Sequence, residues 1–193
     1  GRYSMKRGDA FVAVSAETAQ FLRSFYGVDS HTIPLGVDHR KFRKDRSAGK
    51  RIRKELKLGD KFVMITAGRL ERAKRIEVFL EALKLIDSDD IAMIVVGQGD
   101  KSYLEHLRSL SDDRVTFLGF KRPDELAALY SASDLGVWGK ASITIREAMS
   151  CSLPLLLFDT EDMRSLIKWD NGIAVKKDPE RVKERILEMK EDP

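Results

Sequence analysis

Short apolar runs alternate with stretches of helical periodicity along almost the whole chain, and this alternation limits the fold more than any other feature. The runs AFVAVS (10–15), KFVMITAG (61–68), IAMIVVG (91–97), RVTFLG (114–119), LGVW (135–138), LPLLLF (153–158) and GIAVK (172–176) read as strands. Between and after them, AETAQFLRSFYG (16–27), GKRIRKELKLGD (49–60), AKRIEVFLEALKLI (73–86), DKSYLEHLRSL (100–110), PDELAALYSAS (123–133), ITIREAMSC (143–151), EDMRSLIK (161–168) and PERVKERILEMK (179–190) read as helices. In the stretch 73–86, Ile76, Phe79, Leu80 and Leu83 fall on one helical face. HTIPLGVDHRKF (31–42) is turn-rich. Strands separated by helices of this length form βαβ units and hence a parallel sheet. The strands are near-continuous Val, Ile and Leu runs, as expected when helices cover both faces. The expected class is therefore α/β, a doubly wound parallel sheet.

Length and composition fit that class. With 193 residues, the chain has room for one domain, or a domain and part of another. Apolar residues make up 42% and charged residues 34%, enough for a core beneath a heavily charged surface. The net charge of +4 is small and spread along the chain, which argues against nucleic acid and suits an anionic ligand. The single Cys151 excludes an internal disulfide, so a cytoplasmic location is expected. No apolar run approaches the roughly 18 residues that span a bilayer.

In an open parallel sheet, ligands bind beyond the carboxyl ends of the strands. Gly68, Arg69 and Lys74 follow the strand 61–68. Gly97 and Gly99 follow the next, then Leu118, Gly119 and Phe120, then the loop from Gly139 to Thr144. Glycines and cations thus collect at one edge, which fits a nucleotide or another phosphorylated ligand. Singly, these residues say little. Gly97-Gln98-Gly99 alone is turn chemistry and lacks the third glycine of a dinucleotide fingerprint. Arg69 and Lys74 alone read as solvated side chains, and Ser142 reads as a helix N-cap. Asp87 to Asp90 read as a loop at the opposite edge. Cys151 reads as a small buried residue, and His31, His39 and His106 share no metal spacing, so no metal site is expected.

Taken together, VAVSAET, IPLGVDHRKF, TAGRLERAKRIEVFLEAL, VVGQG, VTFLGF, ELAALYSASDLGVW, REAMSCSLPLLL and NGIAV, in register over residues 12–175, resemble the donor-binding, carboxyl-terminal half of retaining GT-B glycosyltransferases. The resemblance implies a Rossmann-like half of a GT-B fold over residues 34–193, incomplete at its carboxyl end. Residues 1–33 would be the tail of an amino-terminal domain plus linker. It also implies a nucleoside-diphosphate sugar as donor, with neither cofactor nor metal. Arg69 and Lys74 would neutralise the diphosphate, and Ser142, Ile143 and Thr144 would offer backbone amides to it. Glu147 would take the ribose hydroxyls, and Gly68, Gly97 and Gly99 would line the cleft. Leu118, Gly119 and Phe120 would meet the base. The catalytic set would be Arg69, Lys74 and Glu147.

The chain departs from the pattern at three positions and in extent. Gly139 stands where the family has the first Glu of a pair, Ser152 where it has the glycine of Gly-x-Pro, and Leu35 at the middle of its Pro-Asn-Gly. The acceptor would be bound by a missing amino-terminal domain. Any membrane association, at the inner face, would also run through that half. The loss at Gly139 motivates an alternative, a non-catalytic nucleotide-sugar-binding or partner module.

Overall fold

The computed structural model describes residues 8–168 and 170–192. It divides into a small unit ending at Gly36 and a larger one beginning at Val37. Residues 1–7, part of the expected tail, lie outside the described residues.

In the small unit, β1 (Val12–Ala13) and β2 (His31–Thr32) pair in parallel around α1 (Ala16–Tyr26). The strand expected over 10–15 shortens to two residues because Ser15 is taken by the helix: its hydroxyl accepts the Thr18 amide at 3.1 Å. Gly27 ends α1 in the left-handed region, φ 67°. Val12, Val14, Phe21, Phe25, Ile33 and Leu35 of this unit are all exposed.

The larger unit holds a six-stranded parallel sheet of order β5-β4-β3-β6-β7-β8. Its strands are β3 (Phe62–Ala67), β4 (Ile91–Val96), β5 (Val115–Gly119), β6 (Leu135–Trp138), β7 (Leu155–Phe158) and β8 (Gly172–Val175). The helices are α2 (Arg46–Glu55), α3 (Ile76–Lys84), α4 (Lys101–Ser109), α5 (Pro123–Ala132), α6 (Ile143–Ser150), α7 (Glu161–Arg164) and α8 (Pro179–Glu191). The chain runs outward from β3 to β5, then returns to lay β6 beside β3. The strand order therefore reverses between β3 and β6, where such sheets bind ligands.

Both sheet faces are covered, as the continuous apolar runs require. Side chains alternate along each strand. Phe62 and Met64 of β3, with Ile91, Met93 and Val95 of β4, join a core that includes Phe79, Leu83, Leu107 and Ile186. Val63, Ile65 and Ala67, with Ala92, Ile94 and Val96, join a second core that includes Leu126, Tyr130, Ile145 and Leu157. At the amino edge, the Arg114 guanidinium donates to the carbonyls of Leu83, Ile86 and Ser88 at 2.8–2.9 Å and pairs with Asp112. Asp87 to Asp90 form the expected loop there, and Asp90 accepts from Lys190 of α8 at 2.6 Å.

The helix expected over 73–86 is broken. Arg72–Lys74 form a 3-10 turn, and Arg75 takes φ 54° before α3 begins. Arg75 pairs with Glu77 at 3.6 Å, and Glu77 accepts the Tyr103 hydroxyl at 2.6 Å, which holds this turn against α4. Among the described residues, no helix is long and apolar enough to cross a membrane.

Candidate functional site

The carboxyl ends of β3 and β6 are tied to the first turn of α6 by one carbonyl. Ala67 O, the last of β3, accepts Trp138 Nε1 at 2.9 Å and the Thr144 hydroxyl at 2.8 Å. Thr144 also shares a hydrogen bond with the Ser142 hydroxyl at 2.9 Å. Ser142 stands at the N-cap in extended conformation, but its side chain does not cap the helix, contrary to the sequence expectation. The hydroxyl is occupied by Thr144 instead, so the amides that open α6 have no side-chain partner. Uncapped first-turn amides and the positive end of the helix dipole favour an anion.

The loops after β3 and β4 are zipped together by backbone. Gly68 N donates to Val96 O at 3.0 Å, Leu70 N to Gln98 O at 2.8 Å, and Gly97 N to Gly119 O at 2.8 Å. A Cβ on Gly97 would lie 1.8 Å from Gly68 O, and Gly97 has φ 139°. Only glycine fits there. Gly99 is similarly pressed against Leu70 O. These two glycines are needed for close packing of the loops, a role independent of any ligand.

A cleft of about 470 Å³ opens over this edge. Gly68, Arg69, Gly97, Phe120, Thr144 and Glu147 line it, as the sequence suggested. Lys74 lines a small adjoining recess that shares Gly68 and Arg69 with the cleft and includes Gly139. The cleft lining does not include Gly99, Leu118, Gly119, Ser142 or Ile143. Seven lining residues were not among the candidates: Ala67, Val96 and Gln98, which neighbour the glycines of the strand ends, and Phe42, Lys121, Pro123 and Leu126. A lone aromatic in the turn-rich segment was a usable signal for Phe42, which is buried, and the Ser150 hydroxyl donates to its carbonyl at 2.5 Å. Pro123 and Leu126 read only as a helix start and a helix face, and nothing in the sequence turns that face toward the cleft.

The charges of the site are unsatisfied within the protein. Among the described residues, none of Arg69, Lys74 and Lys140 forms an ion pair. Lys74 Nζ donates only to Ala141 O, at 3.4 Å. Burial pulls the Lys74 ammonium below its ordinary pKa; Glu71 partly offsets this, and Lys140 and Arg69 pull it further down. Glu147, which also lines the cleft, has its Oε2 buried without a hydrogen-bond partner, and burial pushes this carboxyl up. A site with unpaired cations, free amides and an unsatisfied carboxylate is built for a ligand with an anionic part and hydroxyl donors.

A larger groove of about 550 Å³ lies between α2 and α5. It is lined chiefly by residues of α2, α5 and the segment before α2, and three of its cations are already paired: Lys41 with Asp38, Arg51 with Glu55, and Lys121 with Glu125. The cleft at the switch point is therefore the candidate site.

Residues 49–193 match the family model described as glycosyl transferases group 1. The chain belongs to that family. Two curated proteins are similar to it. The chain is 28% identical to spore coat protein SA of Bacillus subtilis (strain 168) over 182 residues, 82% of this chain and 48% of the relative. It is 33% identical over 136 residues to the GDP-mannose-dependent alpha-(1-6)-phosphatidylinositol monomannoside mannosyltransferase of Mycobacterium tuberculosis, 66% of this chain and 35% of the relative. It thus spans half or less of the length of these relatives. The fold is that of solved GT-B structures. Anabaena Alr3699/HepE, crystallised in complex with UDP and glucose, superposes with a TM-score of 0.86 at 21% identity, covering 96% of this chain and 54% of that one. The C-terminal domain of LpcC from Francisella tularensis superposes with a TM-score of 0.68 at 21% identity, covering 81% of this chain and 89% of that domain.

Proposed function

We propose that this chain is the donor-binding domain of a retaining glycosyltransferase that moves a sugar from a nucleoside-diphosphate sugar to an acceptor hydroxyl. The observation that carries the reading is the pairing of opposites across one cleft. A buried Glu147 oxygen without a hydrogen-bond partner lines the cleft together with the unpaired Arg69, and the unpaired Lys74 lines the recess that adjoins it. In this reading Glu147 accepts the ribose hydroxyls, which satisfies the orphaned oxygen. The diphosphate meets the amides of Ile143 and Thr144, the Gly68 loop, Arg69 and Lys74. The base lies against the Leu118–Phe120 segment, where Phe120 is 66% exposed and available for stacking.

Cleavage of the bond between sugar and diphosphate leaves the electron pair on the diphosphate. Arg69, Lys74 and the α6 terminus stabilise that developing charge without a metal ion. An acceptor hydroxyl, which this reading places on a part of the enzyme other than this domain, bonds to the sugar from the same face that the diphosphate leaves and passes its proton to the departing diphosphate oxygen. A second reading has one observation in its favour: Gly139 is walled in by Lys74 O and Phe158, so no side chain fits there. A module that binds a nucleotide-sugar without reacting it would tolerate that loss. Lys74→Ala in the longer protein separates the two, since an enzyme loses turnover and a binding module leaves its partner's activity intact.

Calorimetric titration with UDP, GDP and ADP tests the main reading. One nucleotide should bind, and Glu147→Gln and Arg69→Ala should each weaken it about tenfold or more. Binding that neither variant changes would overturn the assignment.

A further inference from the structure

We infer that the face made by α2 and the segment before it docks on the headgroup layer of an anionic phospholipid bilayer, with the groove between α2 and α5 receiving part of a lipid. This inference is independent of the donor reading. Residues 40–57 hold ten Lys and Arg against two acidic residues, a net charge of +8 in a chain whose total is +4. The basic excess is thus concentrated in one segment, and not spread along the chain as the net value suggested. Three of the ten cations are paired: Lys41 with Asp38, Arg51 with Glu55 and Arg53 with Asp134. The other seven are exposed and in no ion pair among the described residues.

The packing of α2 turns these charges outward. Gly49 is pressed against α5, where a Cβ would stand 2.4 Å from Ser131 O. Ile52 and Leu56 pack on the core, and Arg53 donates to the Gly59 and Lys61 carbonyls at 3.1 and 2.9 Å. Arg46, Lys50 and Lys54 recur every four residues and share a different face, which is exposed. Like charges at this spacing repel, and Arg46 in a first turn without acidic residues opposes the helix dipole. The pattern costs the helix stability, and an anionic surface facing it offsets that cost.

The groove narrows the class of anion. Ala48 and Ile52 of α2 and Ala127 and Ala128 of α5 line it, together with the unpaired Arg40 and Arg43. Its volume of about 550 Å³ admits the glycerol and upper acyl part of one lipid against the apolar side chains, with the phosphate on the two guanidinium groups. A nucleic acid brings phosphates but nothing apolar for the groove. The aromatic of this segment, Phe42, is buried and unavailable to stack on bases.

Vesicle sedimentation tests the inference, with phosphatidylcholine alone and with phosphatidylcholine containing roughly one third phosphatidylserine. The chain should sediment with the mixed vesicles and stay in solution with the neutral ones, and binding should fall as salt is raised. Each lysine at an anionic surface is worth about fivefold in partition, so Lys50→Gln with Lys54→Gln should lower it about 25-fold. Lys101→Gln with Lys183→Gln removes the same charge from α4 and α8, whose buried residues belong to the other core, and should lower it less than about twofold. Arg40→Gln with Arg43→Gln should lower it about tenfold or more. Failure to sediment with the mixed vesicles, equal binding to both kinds, or an α2 pair that binds no more weakly than the α4 and α8 pair overturns the inference. Tighter binding to duplex DNA than to the mixed vesicles also overturns it and makes nucleic acid the partner of this face.

Discussion

Replacing Gly139 with alanine adds a single methyl group to the loop that separates β6 from α6. Its ideal position is 2.2 Å from Lys74 O and 2.8 Å from the Phe158 ring. Relief requires the loop and the 72–74 turn to part by about 1 Å, since carbon and oxygen do not approach much below 3.2 Å. Neither neighbour yields easily. The turn is closed by Lys74 N donating to Glu71 O at 2.9 Å and Arg75 N to Arg72 O at 3.1 Å. The Phe158 ring is buried and stacked on Phe79 at 4.8 Å. Overpacking of this kind costs about 1–3 kcal/mol, and two fixed neighbours put Gly139→Ala in the upper half, about 2–3 kcal/mol. For a domain of this size that lowers Tm by about 4–12 °C, measurable by circular dichroism. A variant within about 0.5 kcal/mol of the parent would show that the loop moves freely, and would refute the closed wall that favours the binding-module reading.

Three further predictions address other parts of the structure. Ser152 holds φ 57°, a conformation costly for a side chain with a Cβ, so Ser152→Gly should stabilise the chain by about 0.5–1 kcal/mol in urea unfolding; destabilisation would contradict the strain. Burial raises the Glu147 carboxyl above its ordinary 4.5, so its contribution is fully present below that value and is lost as pH rises through the folded pKa. The permanently neutral Glu147→Gln should therefore gain stability relative to the parent as pH rises above 4.5; an unchanged difference would count against burial as the cause. Arg114→Met should cost about 3 kcal/mol or more by chemical denaturation, because it strands the Leu83, Ile86 and Ser88 carbonyls and the Asp112 carboxylate; a loss under about 1 kcal/mol would mean that water replaces the guanidinium.

Much of the sheet was legible because burial on both faces leaves its mark on every residue of a strand. FVMITA and IAMIVV needed no partner to be recognised, and their order with the intervening helices implied a parallel sheet. The segments that went astray are those whose shape depends on distant contacts. Nothing between Ala73 and Ile86 signals a break; Arg75 is left-handed because Ile76 is buried in the core and Glu77 is held by Tyr103 from α4. Leu118 is skipped in the pairing of β5 with β4, where Val95 faces Phe117 and Val96 faces Gly119; Gly119, with φ 66°, was read as a strand end and not as the sign of a bulge. For the site, the alternation of strands and helices located the strand-end loops, while Glu147 was singled out only by the resemblance to the glycosyltransferases. Neither could reveal that the Ser142 hydroxyl bonds Thr144 and leaves α6 uncapped, or that Phe42 closes the cleft from a segment some distance away in sequence.

The central claim is that a nucleoside diphosphate sits where the sheet reverses its strand order. Recording amide chemical shifts of the labelled chain during titration with the nucleotide that binds tests this most directly. The account predicts that the shifts centre on Gly68, Gly97, Ile143 and Thr144. Shifts confined to the groove between α2 and α5, with those four amides unmoved, would contradict it.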